Sequence, residues 1–585
     1  MFEFKLPELG ENIAGGTVVN INVAVGDTVK KDQDLFEIET DKASLPIPSP
    51  VAGVVKEILI QKGKDVKVGQ IVMKIESAAT AATSAPKVQP AEPVQTSAPK
   101  TESKPQTQNP TPQPSSFDTQ IVVIGGGPGG YAAAFYAADL GMTVTLVDLD
   151  VNPGGVCLFR GCIPSKALLH AAKVLSESRE AHHFGIDFGK PKIDLNKLRD
   201  WKNGVVKQLT GGLGVLAKQR KVTFIQGRAT FVNSNTISID KTDGGKQTLT
   251  FEKAILATGS RPIKLPGAPE SDRIMDSTSA LDLQDVPKRL LLVGGGYIGL
   301  ELGIVYAELG SEIDVVEMLP QLMTGADRDI AGVLEKRLEK LFKAIMISTK
   351  ITKTELAGNT VKVTFEDKDG KSFTKEYDKI LVAIGRKPNS ENLGLENTKV
   401  KVIARGFVEI NAQRRTADES IYAIGDIAGQ PMLAHKASHE GRVAVEAIAG
   451  HKVAFEPIAI PCVVFTDPEI AWAGLTETEA KQKGIEYEVA KFPWGASGRA
   501  ITLDRTDGLT KMLIDPKTER ILGISIVGPG AGELIAEGVL ALEMGAVVSD
   551  LKLSIHPHPT LTETVMEAAE SFFGHSTHVY RPKKK

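Results

Sequence analysis

Short runs of alternating apolar and polar residues fill the first 76 positions and predict β-strands. The pattern occurs twice, because four positions recur 37 residues later: Gly26, Val29, Gln33 and Glu39 return as Gly63, Val66, Gln70 and Glu76. Two similar halves predict a small β-sandwich with approximate two-fold symmetry. Between them, residues 39–44 form a polar hairpin tip that displays Lys42.

Residues 77–116 break this pattern. They hold eight of the chain's 32 prolines and no Leu, Ile, Phe or Gly. Such a segment buries too little apolar surface to fold, and its prolines keep it extended. We expect a flexible linker that serves as a swinging arm; the alternative is a passive spacer.

A longer apolar run at residues 119–124 predicts a buried strand, which leads into Gly125, Gly127 and Gly130. A helical pattern and a second strand follow, and the second strand ends at Asp148. This strand, G-x-G-x-x-G, helix, strand and acid order is typical of a dinucleotide site. The glycines admit a pyrophosphate at the helix N-terminus, and Asp148 is placed to accept from a ribose hydroxyl.

The same pattern returns after the strand predicted at residues 289–293. Gly294, Gly296 and Gly299 precede a helix and a strand that leads to Glu317, and Gly294 is 23 residues from Glu317, as Gly125 is from Asp148. One fingerprint is weak evidence, but two in register predict electron transfer between two nucleotides. An acid at Glu317 favours NAD over NADP, because it would repel a 2'-phosphate.

Length, cysteine count and net charge limit the classes of protein to which this chain can belong. The chain has 585 residues, three cysteines and a net charge of -3, which suggests about four domains and excludes a disulfide scaffold and a broadly basic nucleic-acid binder. The sequence contains no run of 18 apolar residues, so no membrane-spanning helix is predicted. The N-terminus is acidic and does not resemble a targeting peptide. We therefore expect a cytoplasmic protein.

Two of the three cysteines, Cys157 and Cys162, have four residues between them and follow the first dinucleotide pattern closely. That gap does not match common zinc spacing, and we predict no metal site. Two cysteines that open a helix suit thiol–disulfide exchange, because a helix N-terminus stabilises thiolate. Cys462, among apolar neighbours, is interpreted as an inert core residue.

Near the C-terminus, prolines flank His558, and Glu563 lies five residues further on. A histidine held by a carboxylate is the general-base pattern. From the residues alone, two surface histidines, His556 and His558, in a proline-rich turn are the simpler interpretation.

The N-terminal 76 residues resemble a lipoyl domain, because Asp41, Lys42 and Ala43 match the lipoylation motif; biotin carriers usually have methionines beside the lysine. From Asp118 onward, the chain resembles the dihydrolipoamide dehydrogenase type of flavin-dependent pyridine nucleotide–disulfide oxidoreductase, with the redox motif at residues 155–166. Phe159 and Arg160 depart from that motif, where the family usually has a polar and a small apolar residue.

The resemblance implies an α/β fold: two Rossmann-like nucleotide-binding domains, an α+β dimer-interface domain and the appended β-sandwich. The expected boundaries are 1–76 for the lipoyl domain, 77–116 for the linker, 117–262 with 387–456 for the FAD-binding and central domain, 263–386 for the NAD-binding domain, and 457–585 for the interface domain.

The resemblance also assigns roles. Cys157 and Cys162 would be the redox disulfide, His558 and Glu563 a catalytic dyad acting across a homodimer interface, and Lys42 the lipoyl carrier. Lys166 and Glu301 would form an ion pair beside the flavin, and Ala434 would lie near its edge. Asp426 would bind the ribityl chain, and turns holding Thr258, Gly259 and Gly385 would adjoin the two nucleotides.

The implied function is oxidation of protein-bound dihydrolipoamide, with electrons passing through the disulfide and FAD to NAD+, as the E3 component of a 2-oxoacid dehydrogenase complex. The partners would be its lipoyl-bearing acyltransferase and dehydrogenase components. The alternatives are another flavin disulfide reductase, such as glutathione reductase, or an N-terminal domain that docks the enzyme without carrying electrons.

Overall fold

The computed structural model describes residues 2–7, 15–30, 33–39, 44–77 and 117–580. The chain divides into two compact units, Met1–Asn109 and Pro110–Lys585. Lys42 and nearly all of the predicted linker lie outside the described residues. Among those that the structure describes, no helix is both long enough and apolar enough to cross a membrane.

The N-terminal unit is a β-sandwich, as predicted. Its strands within the described residues are β1 (Phe2–Lys5), β2 (Gly15–Ile21), β3 (Thr28–Val29), β4 (Asp34–Glu39), β5 (Ser44–Pro48), β6 (Gly53–Ile58), β7 (Asp65–Lys67) and β8 (Ile71–Ser77). They form two four-stranded sheets, in the orders β1-β8-β6-β3 and β5-β4-β2-β7. Each sheet takes strands from both halves of the sequence, so neither half can complete a sheet alone.

Residues of the 37-residue repeat make matching contacts in the two halves of the N-terminal unit. The amides of Lys30 and Lys67 each donate to the side chain of the repeat glutamine, Gln33 or Gln70, at 3.0 Å. Gly26 and Gly63, the repeat glycines, both have positive φ. The repeat therefore encodes the two turns that reverse the chain in each half.

The first sheet of the larger unit has the order β12-β11-β10-β9-β13-β24, with β10, β9, β13 and β24 parallel. Apolar clusters cover both of its faces, as expected for a buried parallel sheet. Its elements are β9 (Thr119–Ile124), α1 (Pro128–Asp139), β10 (Val144–Asp148), α2 (Gly155–Arg160), α3 (Cys162–Glu180), α4 (Leu195–Gln219), β11 (Thr223–Asn233), β12 (Thr236–Lys241) and β13 (Lys246–Leu256), with β24 (Ile421–Ala423) and α8 (Ala434–Ile448) returning from later in the chain.

A second parallel sheet has the order β15-β22-β16-β17-β18, with a three-stranded meander β19-β20-β21 beside it. Its elements are β15 (Ile274–Met275), α5 (Ser277–Leu281), β16 (Arg289–Val293), α6 (Tyr297–Leu309), β17 (Glu312–Val316), α7 (Arg328–Leu341), β18 (Ala344–Met346), β19 (Lys350–Ala357), β20 (Thr360–Glu366), β21 (Ser372–Tyr377) and β22 (Lys379–Val382). Two short antiparallel strands, β14 (Ser260–Pro262) and β23 (Arg386–Pro388), pair where the chain enters and leaves this segment.

The C-terminal part has an antiparallel sheet in the order β25-β26-β29-β28-β27 with helices packed on it. Its elements are β25 (Cys462–Val464), β26 (Ile470–Gly474), α9 (Glu477–Lys483), β27 (Glu488–Pro493), α10 (Gly498–Thr502), β28 (Leu509–Ile514), β29 (Ile521–Val527), α11 (Ala531–Glu543), α12 (Val548–Leu553) and α13 (Glu563–Phe572). Two Rossmann-like sheets followed by this α+β layer confirm the predicted fold class.

The buried side chain of Lys511 links helix α7, beside the second parallel sheet, to the C-terminal part. The fully buried Nζ of Lys511 in β28 lies 2.7 Å from carboxylate oxygens of Asp327 and Asp329 and 3.0 Å from Glu477. These three acids could by themselves hold a cation, and in this fold the ammonium group occupies their centre. Burial alone would lower the pKa of Lys511, but its carboxylate partners raise it, so the lysine stays charged.

Replacing Lys511 by Met should lower the thermal unfolding midpoint strongly. Removing one partner of a buried ion pair costs about 3–5 kcal/mol, because the remaining charges stay buried with fewer partners. Lys491 would still pair with Asp329 at 2.6 Å, so we expect a loss at the lower end of this range. Lys517→Met is the matched control, since Lys517 pairs with Glu486 on the surface, where a pair contributes about 0–1 kcal/mol. Equal melting temperatures for the two variants, measured by calorimetry, would show that the buried cluster does not hold these layers together.

Candidate active site

The first glycine fingerprint brings a helix end close to a strand end. Gly125 follows β9 with φ of 106°, and a Cβ on Gly130 would lie 1.8 Å from the Gly125 carbonyl oxygen. Gly127 caps α1, and a Cβ built there meets no protein atom within 4 Å. Two of the glycines thus allow close packing, while the third leaves open space at the positive end of a helix, as an anionic ligand requires.

Asp148, at the end of β10, faces the same space. Its carboxylate accepts from the backbone N–H of Gly126 and, at 2.8 Å, from that of Asp150. Burial raises the pKa of Asp148, although both amide donors oppose the shift. The side chain is therefore fixed by its own loop and oriented as an acceptor beside Gly127.

The second fingerprint repeats this geometry. Gly294 also has φ of 106°, and a Cβ on Gly299 would lie 2.7 Å from the Gly294 carbonyl oxygen. Glu317 accepts from the N–H of Gly295 at 2.6 Å and from that of Leu319 at 2.8 Å. A Cβ on Gly296 would meet open space. The matched spacing in sequence therefore corresponds to matched anchoring of the two acids.

A cavity of about 660 Å³ gathers most of the residues predicted around the first nucleotide. Those lining it are Gly125, Gly127, Asp148, Cys157, Cys162, Lys166, Thr258, Gly259, Glu301, Asp426 and Ala434. Among the described residues, this lining does not include Gly130, the second-fingerprint set (Gly294, Gly296, Gly299, Glu317), Gly385, His558 or Glu563. The volume is within the usual range for cofactor and ligand pockets.

The two cysteines lie on consecutive helices rather than at the start of one helix. Cys157 is the third residue of α2, and Cys162 opens α3 after a break at Gly161. Both are present as free thiols. A hydrogen bond from the Cys157 thiol, reinforced by the charge of Lys166, lowers the pKa of Cys162. The same contact and burial raise the pKa of Cys157. The pair therefore favours the thiolate on Cys162.

An ion pair lies next to these thiols. Lys166 Nζ in α3 donates to Glu301 Oε2 in α6 at 2.8 Å. The hydroxyl of Ser165 donates to the same oxygen, and the backbone N–H of Phe465 donates to Oε1 at 2.9 Å. The Glu301 side chain is 4% exposed, so these donors compensate the burial of its charge.

Some residues that the sequence did not indicate also contact the predicted site residues. The Phe465 ring lies 4.5 Å from Lys166 Nζ, a cation–π contact from a segment nearly 300 residues away. Asp426 accepts from the Ser260 hydroxyl, which accepts in turn from Arg386 Nε at 2.7 Å. No local pattern marks these contacts, because they join segments far apart in the chain.

The two histidines of the proline-rich turn occupy different environments. His558 is 74% exposed and contacts Glu563 at 2.9 Å, whereas His556 is 7% exposed and contacts Glu537 at 2.8 Å. Glu563 opens α13, and its other oxygen accepts from the Thr560 N–H. Burial alone would raise the pKa of Glu563, but Thr560 and His558 outweigh it and lower the pKa. Only His558 is accessible to a substrate.

The third cysteine, Cys462, opens β25 and is half-buried. Burial raises its pKa to about 11, so it is a thiol at neutral pH. The pKa of Cys462 is therefore shifted in the opposite direction to that of Cys162.

Comparison with known proteins follows the same division of the chain. Residues 119–441 match the family model of pyridine nucleotide-disulphide oxidoreductases, residues 460–569 match the dimerisation domain of that family, and residues 2–75 match the biotin-requiring enzyme model. A dihydrolipoyl dehydrogenase from Haemophilus influenzae is 52% identical over 80% of this chain and 98% of its own length. Another from Thermus scotoductus is 48% identical over 78% and 98%.

Solved structures agree. LpdA from Mycobacterium tuberculosis aligns with a TM-score of 0.72 and 28% identity, covering 78% of this chain and 99% of that one. The HOCl-induced flavoprotein disulfide reductase RclA from Escherichia coli, solved as its Cu(II) complex, aligns with a TM-score of 0.70 and 26% identity, over 77% and 99%. The chain therefore belongs to the pyridine nucleotide-disulphide oxidoreductase family, on the dihydrolipoyl dehydrogenase branch, and carries an additional N-terminal domain of the biotin/lipoyl type.

Proposed function

We propose that the chain oxidises the dithiol of protein-bound dihydrolipoamide to a disulfide and transfers the electron pair to NAD+. One observation carries the proposal: the low-pKa thiol of Cys162 and its partner Cys157 line the same cavity as the glycine-rich helix end at Gly127. The relatives that match over nearly their whole length are dihydrolipoyl dehydrogenases, which supports the same substrate class.

FAD fits the residues of this cavity. Gly127 leaves room for a pyrophosphate at the α1 N-terminus, and Asp148 is held as a ribose acceptor. When bound, FAD would supply the redox step between the dithiol pair and the nicotinamide. The residues that would hold it are Gly125, Gly127, Gly130, Asp148, Thr258, Gly259, Asp426 and Ala434, with Lys166 and Glu301 beside the flavin.

The second fingerprint suits NAD. Gly294, Gly296 and Gly299 would bind the pyrophosphate, and Gly385 would adjoin it. Glu317 is fixed by two amides and accepts only, so it suits a free ribose hydroxyl and repels a 2'-phosphate. This acid also argues against the glutathione reductase alternative.

In the oxidised form, the chain's own residues would act in sequence. His558 takes a proton from one substrate thiol, and the resulting thiolate attacks Cys157 of the Cys157–Cys162 disulfide. The bond between the cysteines breaks, and Cys162 leaves as a thiolate beside Lys166. The second substrate thiol then attacks the mixed disulfide, which releases lipoamide and returns Cys157 as a thiol.

The dyad would work across a homodimer. His558 is exposed and does not line the cysteine cavity within this chain, while residues 460–569 match a dimerisation domain. A second copy would bring its His558 and Glu563 to the cysteines, so each active site would use both subunits.

The domain boundaries proposed from sequence fit the order of the sheets. Strands β14 and β23 pair at residues 260–262 and 386–388, close to the proposed limits of the NAD-binding domain at 263–386. Strand β24 then rejoins the first sheet within the segment 387–456, and the β25–β29 sheet lies within the interface domain, 457–585. The lipoyl domain would end at 76 and the linker at 116.

The N-terminal domain would carry a lipoyl group on Lys42, and the enzyme would serve a 2-oxoacid dehydrogenase complex through its lipoyl-bearing acyltransferase and dehydrogenase components. Three cysteines in 585 residues, two of them assigned to redox chemistry, suit a reducing compartment such as the bacterial cytoplasm.

Replacing Cys162 by Ser should abolish NADH formation from dihydrolipoamide and NAD+, because a hydroxyl cannot form the disulfide. Cys462→Ser is the matched control and should keep wild-type turnover. The assay follows NADH absorbance with FAD-loaded protein. Turnover by Cys162→Ser, or no NADH from the wild type, would refute the proposed function.

Replacing Lys42 by Arg should remove the lipoyl mass increment from the intact protein and reduce flux through the reconstituted complex. Lys62→Arg, at an exposed lysine of the same domain, should change neither. If the Lys42 variant sustains full flux, and only deletion of residues 1–116 reduces it, the domain is a docking module and not an electron carrier.

A further inference from the structure

Arg160, one of the two residues that depart from the family's redox motif, forms a second ion pair in the cofactor cavity. Arg160, the last residue of α2, donates through both terminal nitrogens to Asp150, at 3.0 and 2.6 Å. The two parallel bonds make this a bidentate pair, the stronger and more directional arrangement for arginine and carboxylate. The Asp150 side chain is only 16% exposed, so the pair is partly shielded from water.

This pair is linked directly to the proposed ribose acceptor. The backbone N–H of Asp150 donates to Asp148 Oδ1 at 2.8 Å, so a clamp on Asp150 also fixes the loop that orients Asp148. All three residues line the cavity that contains Gly125 and Gly127. Arg160 therefore lies at the adenosine end of the proposed FAD site.

Arg160 brings a positive charge to this end of the cavity. Asp148 and Asp150 bring two carboxylates to a place where a cofactor's pyrophosphate adds further negative charge. Burial raises the pKa of Asp148 and the charge of Asp150 adds to the shift, while the amide donors of Asp150 and Gly126 and the charge of Arg160 oppose it. Arg228 also lines the cavity, but within the described residues it is Arg160 that makes the paired contact with Asp150.

The clamp also connects two parts of the proposed chemistry. Arg160 and Cys157 belong to the same six-residue helix, α2, which ends at Arg160, and Gly161 separates it from Cys162. A contact that holds the end of α2 against the β10 loop thus fixes the cysteine-bearing segment relative to the cofactor cavity.

We infer that Arg160 is a positioning residue for the adenosine end of FAD: it clamps Asp150, holds the loop that orients Asp148 toward the ribose, and offsets the carboxylates near the pyrophosphate. This inference rests on FAD occupying the cavity as proposed above. The competing explanation is that the pair only tethers α2 to β10.

The test compares FAD dissociation constants, measured by flavin fluorescence, for Arg160→Met, Arg160→Lys and Arg220→Met. Arg220→Met is a matched control, since Arg220 pairs with Asp139 at 2.9 Å and lies over an aromatic ring, as Arg160 does, but does not line the cavity. We expect Arg160→Met to weaken FAD binding roughly tenfold, and Arg220→Met to leave it unchanged.

The pH dependence separates the charge of Arg160 from its clamp. Affinity should be constant while Asp148 is ionised and fall as the pH drops through its pKa. Loss of the Arg160 charge favours protonation of Asp148, so Arg160→Met should lose FAD at a higher pH than the wild type. Arg160→Lys keeps the charge but not the two parallel bonds, so it should restore the wild-type midpoint while its FAD affinity stays below that of the wild type.

Unchanged affinity and an unchanged pH midpoint in Arg160→Met would overturn the inference. So would a fall in melting temperature that is equal for FAD-free and FAD-loaded protein, because that result marks a purely structural contact. If the wild type itself binds no FAD, the proposed function fails, an outcome distinct from both.

Discussion

The proposed site depends on the buried charge of Glu301. Its carboxylate joins three segments that are distant in sequence: Lys166 from the cysteine-bearing helix α3, α6 from the second nucleotide fold, and the Phe465 backbone after β25. A buried carboxylate is costly unless it is fully paired, so the three segments must come together for any of them to be stable there. That requirement places Lys166 beside Cys162, where its charge contributes to the low pKa of the thiol.

The two nucleotide folds fix their acidic residues in the same way. In each, a glycine with φ of 106° follows the first strand. The acid at the end of the second strand accepts a hydrogen bond from the amide of the glycine directly after this one. The acid is thereby pre-oriented by its own fold rather than by the ligand. The folds differ in surroundings: the glycines of the first open into the cavity with the cysteines, whereas the second contributes Glu301 and other residues of α6 to that cavity but not its glycines or Glu317. The two pyrophosphate positions thus have different surroundings, as two separate cofactors would require.

Local and periodic features of the fold were predictable from the sequence. The 37-residue repeat predicted the sandwich because each copy fixes its own turn through Gln33 or Gln70, and the two fingerprints predicted the parallel sheets because glycine spacing is a local requirement. Contacts between distant segments were not predictable, such as Phe465 with Lys166 and Lys511 with three acids. The pair of Arg160 with Asp150 joins nearby positions, but no periodic pattern or motif indicates it. The resemblance assigned the dyad to His558 and not His556, but the residues alone did not show that His556 is buried against Glu537 while His558 is exposed. The expectation that both cysteines open one helix was wrong, because Gly161 breaks the helix between them.

The central claim is that Cys162 is a thiolate at physiological pH because Cys157 and Lys166 stabilise it. Its most direct test is the rate of alkylation of Cys162 in the reduced protein as a function of pH, with the modified residue identified by peptide mass mapping. We expect a midpoint below that of an ordinary thiol, reactivity that rises above this midpoint, and a higher midpoint in Lys166→Met but not in Lys173→Met, which alters an exposed pair of the same helix. A midpoint near that of an ordinary thiol, about 8.5, in the wild type, or one that Lys166→Met leaves unchanged, would contradict it.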